Sequence, residues 1–190
     1  MIVLELVIGG GLDKFLRNKF EQITPKLRMK FCYGAASGMA YLETQNCIHR
    51  DLSARNCLLT ENYNIKISDF GMSRETSNTG IYQIRTAKAV PIRWMAPESL
   101  TTGSFTIKTD VWSYGVLMWE IYSNGDQPYR GMSNDDVVAK VVHQNYRLPL
   151  PELMPHNIER IMNACWRNRA QYRPTFVDIK NELRTFISEL

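Results

Sequence analysis

Three stretches of this 190-residue chain hold the side chains that chemistry needs. "IHRDLSARNCLL" puts a carboxylate, Asp51, and an amide, Asn56, on one loop just before an apolar run. "ISDFG" adds a second carboxylate, Asp69, and "PIRWMAPESL" follows. Asn56 and Asp69 present hard oxygen donors. Such a pair suits Mg²⁺, which favours oxygen and keeps waters and substrate phosphates in its shell. Asp51 is then left over to orient a hydroxyl. An amide ligand in place of a third carboxylate limits repulsion beside the negative charge of substrate phosphates.

These residues need elements to hold them. "NCLLTENYNIKISDF" reads as two short strands, roughly Cys57–Thr60 and Ile65–Ser68, around a polar turn. That hairpin carries Asp69 back beside Asn56. Thr24-Pro25 is a helix start with proline in the first position. Leu27, Phe31, Ala35, Met39 and Leu42 then recur at helical spacing, and Gly34 and Gly38 permit close packing. "TDVWSYGVLMWEIYSNG" is apolar nearly all round, as in a helix buried mid-domain, with Gly125 as its stop. Ser133 and Asp136 form a capping box for the next helix. Ile158, Ile161, Met162 and Cys165 share one helix face, and Phe176, Ile179, Leu183 and Phe186 another. Between Gly71 and Val90 the pattern dissolves into a long polar loop, a length usually kept for function. The expected fold is mainly α with a small β-hairpin, in a single domain without repeat or linker.

Composition sets outer limits. Hydrophobic residues make up 44% and charged residues 22%, ordinary for a globular domain of this size. The net charge of +4 is mild and its basic residues are scattered, which argues against a nucleic-acid partner. Cys32, Cys47, Cys57 and Cys165 form no C-x-x-C pair and lack histidines at metal-ligand spacing. They read as reduced core residues of a cytoplasmic protein. The apolar opening lacks a basic leader and contains Glu5, unlike a signal peptide. No run approaches the ~20 apolar residues of a membrane span.

Taken together and in this order, the three motifs resemble the larger, C-terminal lobe of a protein kinase. "HRDLSARN" and "PIRWMAPE" are similar to the tyrosine-specific branch, and "LELVIGGGLDKFLRN" to cytoplasmic kinases of the Fes/Fer type. The resemblance runs from Met1 almost to Leu190, implying a partial kinase domain over 1–190, from hinge to C-terminal helix. It implies ATP and Mg²⁺ as cofactors and tyrosine-containing proteins as substrates. Asp51 is then the catalytic base and Asn56 and Asp69 are the Mg²⁺ ligands. Arg55 stands beside the base and the substrate ring, and Pro91 is the platform under the substrate tyrosine. Ser53 takes the place of a more usual alanine. Because phosphoryl transfer is mostly positioning and charge stabilisation, Asp51 needs no raised pKa.

Other residues receive structural or regulatory roles from the same resemblance. His49 supports the loop rather than acting as a base. Asp110 reads as a helix N-cap, and the resemblance makes it an anchor of the catalytic loop from below. Glu98 and Arg173 form a buried ion pair, and Trp112, Trp119 and Trp166 are core. Tyr82 lies where the family carries its activating phosphorylation, with Arg50, Arg74 and Arg85 as partners for a phosphate. That modification adds roughly −1.5 to −2 charge and can order a loop against arginines.

Gly9, Gly10 and Gly11 fit neither G-x-G-x-x-G nor G-x-x-x-x-G-K-[ST]. The resemblance puts the hinge at Leu4 to Val7, with Leu4 as gatekeeper and Glu5 and Val7 offering backbone groups to adenine. Leu58 completes that cofactor set, and the glycines relax the chain into the next helix. In a kinase the phosphate-binding glycine loop and lysine precede the hinge. Only Met1 to Val3 do so here, so the expectation is a large lobe with its N-terminal lobe absent. An alternative function follows, an inactive truncated kinase that acts as a binding or competitor module. Loss of one preorganised donor typically costs ~10²–10³ in rate, or about 3–4 kcal/mol. The 190-residue chain by itself is therefore expected to phosphorylate a tyrosine peptide barely or not at all with Mg-ATP. Clear transfer by the pure chain, abolished by Asp51→Asn, would contradict that.

Overall fold

The computed structural model describes residues 5–75, 82–83 and 90–188. Among these, helices dominate and the strands form only two-stranded pairs. The mainly helical fold with a small hairpin is as expected, and its organisation follows from one buried helix.

That helix, α4 (Ile107–Tyr122), has all but its first two residues buried. Thr106 caps its start: the Thr106 hydroxyl accepts from the Lys108 N–H, and the Thr109 hydroxyl accepts from the Thr106 N–H. Asp110 lies a turn inside the helix and is not its cap, so that part of the sequence reading is corrected. At the other end Asn124 takes the left-handed conformation (φ 58°), and the Gly125 N–H donates to the Glu120 carbonyl at 2.8 Å. This is a Schellman closure. The expected stop at Gly125 is thus its last member, with Asn124 as the turning residue.

On α4 pack α2 (Pro25–Thr44) and α6 (His156–Cys165), while α7 (Phe176–Ser188) packs on α2 and sets Phe176 edge-on to Tyr114 of α4. Thr24 caps α2 by accepting from the Leu27 N–H, with proline next, as the sequence predicts. The Tyr114 hydroxyl donates to the Cys32 carbonyl of α2 at 2.9 Å, a partner the phenol needs once it is buried. Arg28 of α2 donates to the Ile121 carbonyl and to Asn124, so a cation closes the negative end of α4. Trp112 lies between the guanidinium groups of Arg147 and Arg173, 4.5 and 5.1 Å from its ring centre. The predicted apolar faces of α6 and α7 turn inward, with Phe186 only partly covered. Each fully buried side chain of the size of Phe31 or Leu183 contributes about 1.5–3 kcal/mol.

The hairpin sits on α2. Strands β2 (Cys57–Leu59) and β3 (Ile65–Ile67) pair antiparallel, Cys57 against Ile67. Gly34 and Gly38 leave room for Ile65 and Ile67. A Cβ on Gly38 would stand 2.7 Å from Ile67 Cγ1. Short α1 (Leu12–Asn18) buries Leu12, Phe15 and Leu16. The segment before it is not a strand in residues 5–7. The glycines instead run against the hairpin edge: the Gly9 N–H donates to the Leu59 carbonyl and the Leu59 N–H to the Gly10 carbonyl, both at 2.9 Å. They are a pairing segment more than a slack connection.

Within the expected long loop, β4 (Arg74–Glu75) pairs with β1 (Cys47–Ile48). Likewise β5 (Tyr82–Gln83) pairs with β6 (Ser104–Phe105), which follows α3 (Pro97–Thr102). After α4, the Ser133–Asp136 capping box opens α5 (Asn134–Val138), as predicted. No disulfide joins the four cysteines; Cys32, Cys57 and Cys165 are buried, and Cys47 is half-buried. No described helix is long and apolar enough to cross a membrane.

A side chain at Gly9 would put its Cβ 2.2 Å from the Leu59 carbonyl oxygen. Gly9→Ala should therefore part this segment from the hairpin and destabilise the fold by about 1–3 kcal/mol in denaturant titrations. An unchanged midpoint would refute that close approach.

Candidate active site

Two carboxylates of α4 carry the loop from His49 to Asn56. Asp110 accepts the His49 N–H at 2.7 Å on one oxygen and the Arg50 N–H at 2.9 Å on the other. Ten residues later on the same helix, Glu120 accepts the Ala54 N–H at 3.0 Å. At the first of these pins Arg50 takes a positive φ of 70°, a turn that L-residues rarely adopt without such support. The anchoring geometry expected of Asp110 is present. Glu120 was not foreseen, although a carboxylate inside "GVLMWEIY" was a readable signal.

Side-chain bonds fix what remains of the loop. The His49 Nδ1 accepts the Asp51 N–H at 3.2 Å, which leaves Nε2–H to donate to the Ser68 carbonyl at 2.9 Å. Both ring nitrogens are thus spent on backbone, and burial lowers the His49 pKa. This is the supporting geometry anticipated for His49. The Asn56 Nδ2 donates to the Asp51 carbonyl at 2.7 Å, so its Oδ1 keeps its acceptor capacity. Asp51 is only 9% exposed and pairs with the Arg55 guanidinium. Burial raises its pKa, outweighing the opposing pull of Arg55. A raised value was not required by the sequence reading; it follows from the depth of the loop.

The hairpin returns Asp69 as predicted. Ser68 donates to the Asn56 carbonyl through both its N–H (2.9 Å) and its hydroxyl (3.0 Å), which ties the strand end to the loop. Asp69 itself has φ 60°, and the Gly71 N–H donates to its carboxylate at 3.2 Å. Phe70 packs edge-on to His49, 5.4 Å between ring centres. A cleft of about 710 Å³ is lined by Glu5, Val7, Leu58, Asp69 and Phe70, among others. Three of the four residues proposed for adenine and one of those proposed for Mg²⁺ therefore share one cavity. Leu4 lies outside the described residues. An amide oxygen and a carboxylate fit Mg²⁺ held jointly with phosphates. Among the described residues no cluster of three or more His, Cys, Asp or Glu could hold a metal by itself.

Pro91 precedes a single 3₁₀ turn, Ile92–Trp94, closed by the Trp94 N–H on the Pro91 carbonyl at 2.9 Å. The Trp94 ring lies 4.8 Å from the Arg55 guanidinium, which links this platform to Asp51. Tyr82 pairs with Phe105 through the backbone, and the Arg50 guanidinium lies 5.2 Å from the Phe105 ring. Arg74 pairs with Ile48, two residues before Arg50, and donates to the Ser73 carbonyl. The strand bearing Tyr82 and Arg50 therefore meet at Phe105, whereas Arg85 lies outside the described residues. Away from the cleft, Arg173 grips Glu98 with two bonds of 2.6 and 2.9 Å. Arg173 is fully covered but Glu98 is about one-third exposed, so the expected ion pair forms and is buried on one side only.

Residues 1–183 match the family model described as protein tyrosine and serine/threonine kinase. The chain is 46% identical to human (Homo sapiens) tyrosine-protein kinase Fer over 182 residues, 96% of this chain and 22% of Fer. It is 44% identical to the tyrosine-protein kinase transforming protein Fps of avian sarcoma virus (strain PRCII), covering 96% of this chain and 34% of Fps. Zebrafish (Danio rerio) ephrin type-B receptor 4a is 43% identical over 98% of this chain and 19% of its own. The chain spans about a fifth of the length of the Fer proteins it matches.

Burial pushes both Asp110 and Glu120 up to about 7. A folded-state pKa above the unfolded value means that the fold holds protons which the unfolded chain releases. The associated stability is fully present below the ordinary carboxylate range and is lost as pH rises towards about 7. Glu120→Gln keeps an acceptor oxygen and cannot titrate. Its melting temperature should gain on that of the parent between about pH 4.5 and 7. Parallel curves would show that Glu120 is ionised throughout.

Proposed function

The chain belongs to the protein tyrosine and serine/threonine kinase family, and from that premise we propose that it forms the C-terminal catalytic lobe of a non-receptor protein tyrosine kinase. Residues 1–190 are then part of one kinase domain, working in the cytoplasm on tyrosine-containing proteins. The observation that carries this reading is the gathering of Asp51, Asn56 and Asp69 by one pinned loop and one hairpin beside a cleft of about 710 Å³. Identity to tyrosine-protein kinases Fer and Fps supports the choice of hydroxyl.

The reaction moves the γ-phosphoryl group of ATP. The tyrosine oxygen forms a bond to the γ-phosphorus as the bond to the bridging β,γ-oxygen breaks, and ADP leaves with that electron pair. The phenolic proton passes to the Asp51 carboxylate. Arg55 holds that carboxylate in place and leaves its second oxygen available. Pro91 and the turn that follows it form the platform under the substrate tyrosine. Asn56 and Asp69 hold Mg²⁺, which when bound offsets phosphate charge. Glu5, Val7 and Leu58, which line the cleft, would hold the adenine, and Leu4 is the gatekeeper of this reading. Tyr82 is the regulatory phosphorylation site of this reading, with Arg50 and Arg74 as partners for the phosphate.

Purified protein containing this chain, given Mg-ATP and a tyrosine peptide, should phosphorylate tyrosine and leave serine and threonine untouched. Asp51→Asn should lower kcat by about 10²–10⁴ and barely change the KM for ATP. Asp69→Asn should instead raise the Mg²⁺ concentration needed for half-maximal rate. Transfer that survives Asp51→Asn, or falls on serine, would overturn the reading.

A further inference from the structure

The hairpin that returns Asp69 to the cleft carries a tyrosine at its opposite end. Tyr63 has φ 56°, a left-handed conformation that turns usually give to glycine, asparagine or aspartate. Three hydrogen bonds of 2.9–3.1 Å close the turn around it. The Tyr63 N–H donates to the Thr60 carbonyl, the Thr60 N–H to the Asn64 carbonyl, and the Asn64 N–H to the Thr60 hydroxyl. Asparagines stand on either side of Tyr63 and would suit that backbone better. The turn itself therefore gives no reason for a tyrosine, and the reason lies in the side chain.

That side chain has a cationic setting. Its ring rests on Phe15 of α1, 5.3 Å between ring centres. The Lys19 Nζ, just past the end of α1, lies 5.8 Å from the same Phe15 ring. The Lys30 Nζ, on α2, donates to the carbonyl of Asn62, the residue next to Tyr63, at 2.6 Å. No described residue hydrogen-bonds the Tyr63 hydroxyl.

Access also favours this position. Residues 61–64 are all exposed, so the tip can be lifted into a second molecule's cleft without uncovering the core. Tyr41 and Tyr172 are exposed too, but Tyr41 is held inside α2. Tyr172 directly precedes Arg173, whose grip on Glu98 would have to open. Each strand of the hairpin separates the tip from the loop and from Asp69 by three residues, about 3.3 Å each, so Tyr63 points away from the base of its own molecule.

We propose that Tyr63 is a phosphorylation site, filled by a second copy of this protein, and that its phosphate staples the hairpin tip to α1 and α2 through Lys19 and Lys30. The Tyr63 oxygen bonds to the γ-phosphorus of ATP as the bond to the β,γ-bridging oxygen breaks. ADP leaves with that electron pair, and the phenolic proton passes to Asp51 of the second copy. The phosphate brings roughly −1.5 to −2 charge and three acceptor oxygens, enough for two ammonium groups. Because the hairpin also carries Leu58 and ends at Asp69, the staple fixes one wall of the cleft from outside. The transfer rests on the kinase reading above, whereas the staple does not.

The test uses the full protein that carries this chain. Asp51→Asn protein, which cannot donate phosphate, is mixed with Tyr63→Phe protein, which cannot accept it at this site and keeps a ring on Phe15. After Mg-ATP, mass spectrometry should find at least about 10-fold more phosphate on Tyr63 of the Asp51→Asn protein than on its Tyr41 or Tyr172. Asp51→Asn protein alone should carry none. Tyr63 labelled no more than those two tyrosines overturns the proposal. The phosphorylated protein should then melt about 2–4 °C above the unphosphorylated one at low salt, relative to Tyr63→Phe treated alike. Most of that gain should vanish in about 0.5 M salt and in Lys19→Gln/Lys30→Gln. No gain, or a gain that survives the double substitution, overturns the staple. If the Tyr63→Phe protein labels no tyrosine peptide either, the kinase reading and the self-transfer fail together, and the same melting comparison on protein labelled by an unrelated tyrosine kinase decides the staple.

Discussion

Burial of two carboxylates in α4 is the constraint on which the site depends. Taking Asp110 and Glu120 out of water is expensive, and the structure offsets that cost with donors. For Asp110 those donors are the backbone amides of His49 and Arg50; for Glu120 they are the amide of Ala54 and the indole of Trp94. The exchange works in both directions. The loop is too irregular to satisfy its own amides, and the helix provides acceptors at fixed points beneath it. A regular helix has a known rise per residue, so the two pins set the span of the loop. The side chains of Asp51, Arg55 and Asn56 are therefore referenced to a helix that is buried along almost its whole length.

The hairpin is the second point of reference. It rests on α2 because Gly34 and Gly38 leave space for Ile65 and Ile67. Its far edge receives the glycine segment, where only a residue without Cβ can approach the Leu59 carbonyl so closely. The residues of the cleft thus arrive from two directions, Glu5 and Val7 from one edge of the hairpin and Asp69 from its end. His49 closes the circuit by bonding Asp51 and Ser68 through opposite ring nitrogens. In this setting a histidine beside a carboxylate is a spacer. Its lowered pKa suits a neutral ring that accepts at one nitrogen and donates at the other.

Much of this was legible in the residues. Periodicity marked the helices because α2, α6 and α7 each bury one face, and α4 was recognisable because it buries all faces. Asp51, Asn56 and Asp69 stood out because two motifs flank a strand–turn–strand pattern, and a hairpin has few ways to return its end. Capping at Thr24 and Ser133 was readable because capping is local chemistry between residues close in sequence. Where the reading slipped, the deciding contact was distant. Asp110 resembled a cap from its place near a helix start, but Thr106 fills that role and Asp110 faces a loop 60 residues away. Glu120 went unnoticed because its partners, Ala54 and Trp94, lie 66 and 26 residues away.

The sequence by itself determined the elements and the chemistry they carry, because hydrophobic period, turn residues and donor types act over a few residues. It also determined kinship, through motifs whose order and spacing few other chains share. Tertiary structure alone decided which carboxylates are held in reserve as anchors and which face the cleft. Asp51, Asp69, Asp110 and Glu120 are alike as letters. What separates them is how deeply each is buried and which amides reach it. Those quantities arise only when α4, the loop and the hairpin are packed together.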